Sequence, residues 1–585
     1  MASQQEVKLK KKISSLTQQR KYKKARDVAL ELVRLNKADI ESWFALSQLQ
    51  EVLGEVKSAV ECLYQVCQGP SPMYVPAVQK AVQLCEAHGL DQLGVAPAHE
   101  LIKAMPNSGA AFFSLGLFYF NLQQFVTASP YFLKSIQLSP SESRPYYFGA
   151  LSYIYVGQVS QGMELLDAHI SKLGLDHRIA TIKAMSSNYL HGVSDEAVFT
   201  IHKDSAAAVS VKASDSCDRE KKEKVKIGYL SPDLKNHSVS FFFKAIVENH
   251  SRDRFDVYCY SDLPQPDNVT AEIKRESDHW IDCHGMSDAE LYDQIQADGL
   301  DILVDLVGYA GSHRLKVFSM RAAPVQVSYL GYPNTTGLAA MDYRLSDGWA
   351  DPVGMTEDQY TEQLIRLSGG FLCYTPAGDL PAIAPLPADS NNGGVCFGSF
   401  NSFLKVTSEM MGMWAELLKK LPESSVFIKA RPLAEEALRE RIWAYFKEQG
   451  IARARVRLQG WSEDINSHLE LYNEVDIHLD TFPYNGTTTT IESLRQGVPV
   501  VSLAGSNHRS RVGCSILSQV GLDDLVADSE KDFVDVAAGL ANDLGRLRSL
   551  RQELRARVDN SSLMDRKRFI AELEESFELM LNEKV

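Results

Sequence analysis

The residues able to do chemistry gather in a few short segments, and the richest is Asp476 to Gly497, DIHLDTFPYNGTTTTIESLRQG. Val475, Ile477 and Leu479 alternate with polar residues as a strand does and stop at Asp480. A Pro-Tyr-Asn-Gly turn follows, and Thr487, Thr488, Thr489 and Thr490 open a segment that reads as a helix closed by Gly497. The first N–H groups of a helix lack partners within it, and the helix dipole favours an anion there. A strand, a tight turn and a hydroxyl-rich helix start therefore suit a phosphate. An N-cap followed by an ordinary helix accounts for the same residues without a ligand. Lys405, in GSFNSFLKVTSE, lies in a loop ahead of a helix. An ammonium there can neutralise a departing diphosphate, or it can simply be solvated.

Asp233 and His237, in SPDLKNHSVSFFF, are a carboxylate and an imidazole of the kind that take a proton from a hydroxyl. The structural alternative is that Asp233 caps the next helix and His237 packs against it. The loop GYPNTTG, Gly331 to Gly337, can present backbone N–H groups to a ligand or serve as a turn. His468, one short helix ahead of the threonine-bearing strand, can stack on a base or be an ordinary surface histidine. No Asp-x-Asp triplet occurs, and a divalent-metal bridge to a diphosphate usually needs closely spaced carboxylates. Charge neutralisation at a nucleotide-sugar site would then fall to lysine, helix dipole and hydroxyls.

Two alternating series of strands and helices must position these residues. The first runs VKIGYLSPD, FDVYCYSD, SDAELYDQIQADG, DILVDLVG; the second runs GVCFGSFN, SEMMGMWAELLKKLP, SVFIKAR, VRLQGW, VDIHLDTF, VPVVSLAG and a helical tail from about Ser529. Such alternation predicts parallel sheets with crossover helices, here two Rossmann-like lobes joined near Tyr374 to Asn392. Ligands of open α/β sheets bind at the carboxyl ends of strands, where each of these segments falls.

The first third is periodic instead. Phe112, Leu115, Gly116, Tyr119, Ala128, Phe132 and Pro140 match the offsets of the tetratricopeptide helix–turn–helix repeat. Another copy runs through Tyr146, Ala150, Tyr153, Gly162 and Leu166, an earlier one through Trp43, Leu46, Ser47, Gly54, Ala59 and Leu63, and a partial one through Tyr22, Ala25, Ala29 and Leu32. Residues 73–106 match poorly. Such repeats stack into a superhelix whose concave face usually binds peptides; a plain helical bundle is the alternative. The expected layout is repeats over 6–182, a bridging helix and linker over 183–224 with a boundary at Ser205 to Lys224, a first lobe over 225–375, and a second lobe with C-terminal helices over 376–585.

A chain of 585 residues needs several cores. Its formal charge of −14 argues against general nucleic-acid binding. The lysine-rich start reads as a solvated helix face. No apolar run is long enough to span a bilayer, and the nine cysteines are scattered without metal-ligand spacing, so a cytoplasmic protein with free thiols and no membrane partner is expected.

Taken together, GYLSPDLKNHSVSFF, RAAPVQVSYLGYPNTTGLAAMDYRLSD, GSFNSFLKVT and DIHLDTFPYNGTTTTIESLRQGVPVV, in that order after the repeats, closely resemble the SPINDLY/O-GlcNAc transferase family. The resemblance implies a metal-independent, inverting glycosyltransferase with the two-lobed GT-B fold, moving one sugar from a nucleotide diphosphate to Ser or Thr of proteins bound along the repeat groove. His237 matches the family's active-site histidine and Asp233 its nearby acid/base carboxylate, with a donor phosphate oxygen as another proton acceptor. Lys405 matches the lysine on the diphosphate, Thr488 and Thr489 the paired threonines, and His468 a histidine near the base. Ser402, Gly331, Pro333 and Thr335 complete the donor-contacting set with Thr487 and Glu492. Where animal O-GlcNAc transferases have histidine, aspartate and lysine, this chain has Thr487, Glu492 and Ile465. That pattern is similar to the plant SPINDLY branch, so UDP-GlcNAc is the first donor expected and GDP-fucose the alternative. Asn-linked transfer, an inactive scaffold and a GT-B epimerase are the remaining readings.

Overall fold

The computed structural model describes residues 4–67, 72–211, 223–376, 378, 380–462 and 464–583. The chain forms two compact units, Met1–Val156 with Glu164–Leu173, and Gly157–Met163 with Gly174–Val585. The first unit is built of helix pairs: α1 Gln4–Gln18 with α2 Tyr22–Leu35, α3 Ile40–Val52 with α4 Val56–Val66, α5 Tyr74–His88 with α6 Asp91–Ala104, α7 Gly109–Asn121 with α8 Phe125–Leu138, then α9 Ser143–Tyr155 and, from Glu164 on, α10 Val159–Leu173. The repeat signature is a packing requirement. Leu115, Ala128 and Phe132 are fully buried, and a Cβ on Gly116 would lie 2.9 Å from the Phe132 ring. The poorly matching stretch 73–106 still folds as a pair. Its regularity lies in the backbone: the residue between paired helices has positive φ at Arg20 (56°), Gly54 (76°), Gly89 (63°), Gln123 (60°) and Gly157 (76°), the left-handed stop that ends many helices.

The second unit opens on a hairpin, α11 His177–Ser187 and α12 Asp195–Val209. Ala184, Ala206 and Val209 of this hairpin share a core with Leu230 and Leu303 of the first sheet and with Tyr332 of the GYPNTTG loop. The start of α11 therefore falls inside the span expected for the repeats, yet the hairpin packs as part of the first lobe. Ser205 to Val209, expected as the start of a linker, form the last turn of α12; residues 212–222 of that expected linker lie outside the described residues.

The first lobe runs β1 Val225–Ser231, α13 Ser238–Val247, β2 Phe255–Ser261, α14 Asn268–Glu276, β3 His279–Asp282, α15 Asp288–Asp298, β4 Ile302–Asp305, α16 Leu315–Ser319, β5 Val325–Ser328, β6 Tyr343–Asp347 and β7 Gln363–Leu367. The second runs α17 Pro387–Ser390, β8 Cys396–Ser399, α18 Ser408–Lys420, β9 Ser425–Lys429, α19 Glu436–Glu448, β10 Val456–Gln459, α20 Ile465–Glu470, β11 Ile477–Leu479, α21 Thr488–Arg495, β12 Val500–Leu503, α22 Val512–Gln519 and β13 Val526–Ala527. Helices α23 Glu530–Ala541, α24 Leu544–Asp559 and α25 Arg566–Glu583 follow. Both sheets are parallel, ordered β3-β2-β1-β4-β5-β6-β7 and β10-β9-β8-β11-β12-β13. Strand order reverses between β1 and β4 and between β8 and β11. Such switch points leave a crevice at the strands' carboxyl ends.

The C-terminal boundary differs as well. The last helix, α25, returns to the first lobe and packs on α13 and β7. Its buried Glu574 accepts from Ser251 N (2.7 Å) and pairs with His250 Nδ1 (3.0 Å) and Arg254 Nη1 (3.3 Å). The second lobe thus ends before the chain does.

Candidate active site

Lys405 and the threonine run flank the β8/β11 switch point of the second lobe. Asp480, at the end of β11, is buried and ties the turn together: its Oδ1 accepts from Thr481 N (2.8 Å) and Gly486 N (2.6 Å), its Oδ2 from Ser502 Oγ (2.7 Å). Burial pushes its carboxyl up to about 6, against those hydrogen bonds and the nearby Lys405 charge. Gly486 has no room for a side chain, since a Cβ would lie 2.7 Å from Asn401 Oδ1 and 2.8 Å from Thr490 Oγ1. Thr487 is the N-cap residue of α21, and its side chain makes no capping bond. Thr488 and Thr489 form the first turn, half-buried. Thr490 Oγ1 and Asn401 Nδ2, on either side of Gly486, are buried polar atoms without a protein partner. A helix start with its hydroxyls and amide uncommitted can receive a polar ligand.

Lys405 ends a short 3-10 turn, Phe403–Lys405, that follows β8. Its Nζ donates to Asn485 O (2.7 Å) and stands 3.9 Å above the Tyr484 ring. Burial pulls the ammonium down to about 8, with Asp480 opposing. Both groups that hold it are neutral, so its charge stays available to an anion. Ser402, at the head of this turn, is exposed.

His468 and Glu492 meet further along α21. His468 Nε2 lies 3.4 Å from Glu492 Oε2, and its Nδ1 is 2.7 Å from Nζ of Lys429 at the end of β9. The His468 ring is packed against Tyr472 and Phe400, with centroids at 5.6 and 6.0 Å. Glu492 also lines a narrow pocket of about 20 Å³ with Tyr374, Ile465, Leu469 and Arg495. Tyr374 lies on the segment joining the lobes and packs edge-on against Phe241 and Phe242 of α13. Tyr374 therefore touches both the helix that begins after His237 and the Glu492 pocket.

On the first lobe, His237 is itself the N-cap of α13, accepting weakly from Val239 N (3.4 Å), and Asp233 Oδ2 lies 3.7 Å from its Nδ1. Asp233 does not cap this helix; its carbonyl accepts from Ser240 Oγ (2.8 Å). The surrounding protein draws the His237 imidazole below its ordinary value, and Asp233 opposes that, while 43 % of the side chain remains open to solvent. The pair is close and reachable, as an acid–base pair must be.

The GYPNTTG loop is turned inward instead of toward a ligand. Thr335 is fully buried, with its hydroxyl on Glu362 Oε2 (2.5 Å), and Glu362 Oε1 accepts from Thr336 N (2.6 Å) and Thr336 Oγ1 (2.5 Å). The Tyr332 hydroxyl accepts from Asn188 Nδ2 (2.9 Å) and bonds His202 Nε2 (2.7 Å) on the α11–α12 hairpin. Pro333 is buried and Gly331 half-buried, with a Cβ on Gly331 falling 1.8 Å from Leu306 O. The structure does not bring Thr335 or Pro333 to an open surface. Sequence reasoning missed Lys429, Asn401, Tyr484 and Tyr374. A lysine ending the apolar strand SVFIK was the one signal available for Lys429.

Among the described residues no group of three or more His, Cys, Asp or Glu side chains is arranged to hold a metal ion. None of their helices is long and apolar enough to cross a membrane.

The model of Glycosyl transferase family 41 matches residues 181–377 and 386–573. A SPINDLY protein of Solanum lycopersicum, named as a probable UDP-N-acetylglucosamine–peptide N-acetylglucosaminyltransferase, is 36% identical over 406 residues, 68% of this chain and 43% of that protein. The Hordeum vulgare SPINDLY is 39% identical over 358 residues, 60% of this chain and 38% of the relative. The SEC protein of Arabidopsis thaliana, of like name, is 30% identical over 62% of this chain and 37% of its own. The chain thus spans less than half the length of these curated relatives. Among solved structures, the K341M mutant of Thermobaculum terrenum O-GlcNAc transferase superposes with a TM-score of 0.78 at 31% identity, covering 87% of this chain and 98% of that one. The helical repeats, the paired parallel sheets and these matches lead to one conclusion: the chain belongs to glycosyl transferase family 41, with the SPINDLY and O-GlcNAc transferase proteins.

Proposed function

We propose that this chain is a protein O-glycosyltransferase that moves a single N-acetylglucosamine from UDP-N-acetylglucosamine to a Ser or Thr hydroxyl, with inversion and without a metal. The observation that carries the reading is the meeting of Lys405 with the α21 start at the β8/β11 switch point. A cation held by neutral groups and a hydroxyl-lined helix start suit a diphosphate. The acceptor oxygen attacks the anomeric carbon as the bond from that carbon to the diphosphate oxygen breaks on the opposite side. Lys405, Thr488 and Thr489 take up the charge growing on the departing nucleotide. The acceptor proton passes to Asp233, to His237 or to a donor phosphate oxygen. His468 and Glu492 address the base and ribose, and the helical repeats hold the acceptor peptide.

The names carried by the relatives favour UDP-N-acetylglucosamine over GDP-fucose. The test is a transfer assay with both labelled donors on a protein acceptor, with and without a chelator. Label from UDP-N-acetylglucosamine, released by alkaline β-elimination and indifferent to the chelator, is the expected result. Label only from GDP-fucose, release only by an amidase, or isomerised free donor would each replace this reading with another.

A further inference from the structure

We infer that Lys429 is a positioning residue of the nucleotide site, acting through His468 to set the orientation of Glu492. The argument rests on the proposed nucleotide-sugar reading for its ligand and on the geometry for everything else. Lys429 ends β9, one strand away from the β8/β11 switch point, and its side chain is buried. Its Nζ lies 2.7 Å from His468 Nδ1. An ammonium has no lone pair to offer, so it donates and the imidazole accepts at Nδ1. That choice leaves the proton of neutral His468 on Nε2, which faces Glu492 Oε2 at 3.4 Å. The result is a lysine–imidazole–carboxylate chain in which one charge fixes a tautomer and the tautomer fixes a carboxylate.

Three features make the arrangement more than a buried salt link. First, Lys429 has no carboxylate within hydrogen-bond range on the described elements around it; Glu492 is reached through the ring. Secondly, two aromatic rings stand near its Nζ, Phe400 at 5.9 Å and Trp461 at 6.0 Å; Trp461 is 68% exposed, and Arg431 also lies over its ring at 5.4 Å. Thirdly, His468 Nδ1 is taken by Lys429 and its Nε2 faces Glu492 at 3.4 Å, so the ring face of the 19% exposed histidine is what it can offer a nucleotide. Burial pulls the Lys429 ammonium down to about 8, and the Glu492 charge opposes that. Glu492 also lines the narrow pocket shared with Ile465, Leu469 and Tyr374.

The test uses the full chain and the plain nucleoside diphosphates UDP and GDP, titrated by calorimetry, beside steady-state transfer. In Lys429→Met the Kd for the nucleotide that wild type binds should rise about ten-fold, as when a supporting partner is removed from a ligand-contacting histidine. The donor KM should rise with it, while kcat at saturating donor stays within about two-fold. Lys429→Arg should restore Kd to within about three-fold. Lys429→Gln, which can donate to Nδ1 without the charge, should fall between. In the Lys429→Met background, His468→Ala should cost far less than it does in wild type, because the two act as one unit. Unchanged Kd in Lys429→Met overturns the inference, as does a kcat loss that tracks the folded fraction at constant KM. If the Met variant fails to fold, the Arg and Gln variants decide on the same readouts. If wild type binds neither UDP nor GDP, the nucleotide reading itself fails and the inference falls with it, a result distinct from the first two.

Discussion

Lys405→Met separates a residue that serves chemistry from one that serves the fold. The ammonium's drop from 10.5 to about 8 corresponds to roughly 3 kcal/mol of unfavourable charge burial at about 1.36 kcal/mol per pKa unit. Partial exposure of the side chain reduces that to about 1–2 kcal/mol. Methionine removes this cost and forfeits the hydrogen bond to Asn485 O, itself about 1–2 kcal/mol. At neutral pH the two cancel, and the melting temperature should stay within about 3 °C of wild type. Their pH dependence does not cancel. The folded pKa lies below the unfolded one, so the folded protein binds fewer protons between about 8 and 10.5, and wild type gains stability as pH rises across that window. The variant lacks that gain, so the melting difference should shift by a few degrees in favour of wild type between about pH 7.5 and 9.5. Transfer should meanwhile fall about 10²- to 10³-fold, the loss usual for one electrostatic donor on a developing anion. Calorimetric melts at several pH values and a labelled-donor assay read the two effects separately. Full transfer by the variant would sink the role in leaving-group stabilisation. A large loss of melting temperature with transfer falling in step would show that Lys405 is structural.

Other expectations follow from the same geometry. Because Lys405 and Lys429 are both drawn to about 8, kcat/KM for the donor should fall above pH 8 with a slope near one from Lys405 and a further drop of at most about ten-fold from Lys429, which Lys429→Arg should remove. Tyr484→Leu removes the ring 3.9 Å below the Lys405 ammonium; donor affinity should weaken roughly 5- to 10-fold, near the 1 kcal/mol of a partly buried cation–π contact, and calorimetry with UDP checks it. Gly486→Ala places a methyl 2.7 Å from Asn401 Oδ1, so nucleotide binding should be lost while the first lobe keeps its melting transition. Glu574→Gln breaks the buried pairing with His250 and Arg254 and should destabilise by about 3–5 kcal/mol, visible as a lower urea midpoint. Burial would raise the Glu574 carboxyl, but His250, the Ser251 N–H and Arg254 together hold it below its ordinary value. Its contribution is therefore present above the ordinary carboxylate range and lost as pH falls through the folded pKa, and acid melts of wild type and variant should converge at low pH.

How much of this was legible in the sequence depended on how local each cause was. The threonine run, its strand and its turn are contiguous, and so are Asp233 and His237; each could be placed at a strand's carboxyl end from alternation alone. The repeats were legible where Gly116 and Ala128 must be small. They were illegible over 73–106, where Val82 and Cys85 stand at the offsets of Gly116 and Tyr119, although Gly89 takes the same left-handed stop as Gly54 and Gly157. The partner of the hydroxyls in the GYPNTTG loop was not legible because it is remote. A loop of threonines beside glycines reads as ligand-facing until Glu362 is seen to claim the hydroxyls of Thr335 and Thr336. Glu574 is the same lesson at greater range, since nothing local says that the last helix returns to His250 and Ser251 on the first lobe.

The α11–α12 hairpin shows why family likeness to the lobes alone understates the site. Tyr189, in the turn after α11, stacks on Tyr484 with ring centroids 5.1 Å apart and planes at 21°, and the same Tyr484 ring supports the Lys405 ammonium. At the other end of that turn, Asp195 accepts from Asn507 Nδ2 (2.7 Å) and from Ser506 Oγ, both on the second lobe. His202 and Asn188 meanwhile hold Tyr332 of the first lobe. The hairpin therefore braces both lobes and lies one ring away from the cation expected to meet the diphosphate. A cation whose supports are a carbonyl and a stacked pair of rings is fixed in place before any anion arrives, and little reorganisation is then left to oppose catalysis. By this logic Tyr189→Ala should weaken nucleotide binding by the same route as Tyr484→Leu. The double variant should be little worse than either alone, since both changes loosen one support of one lysine.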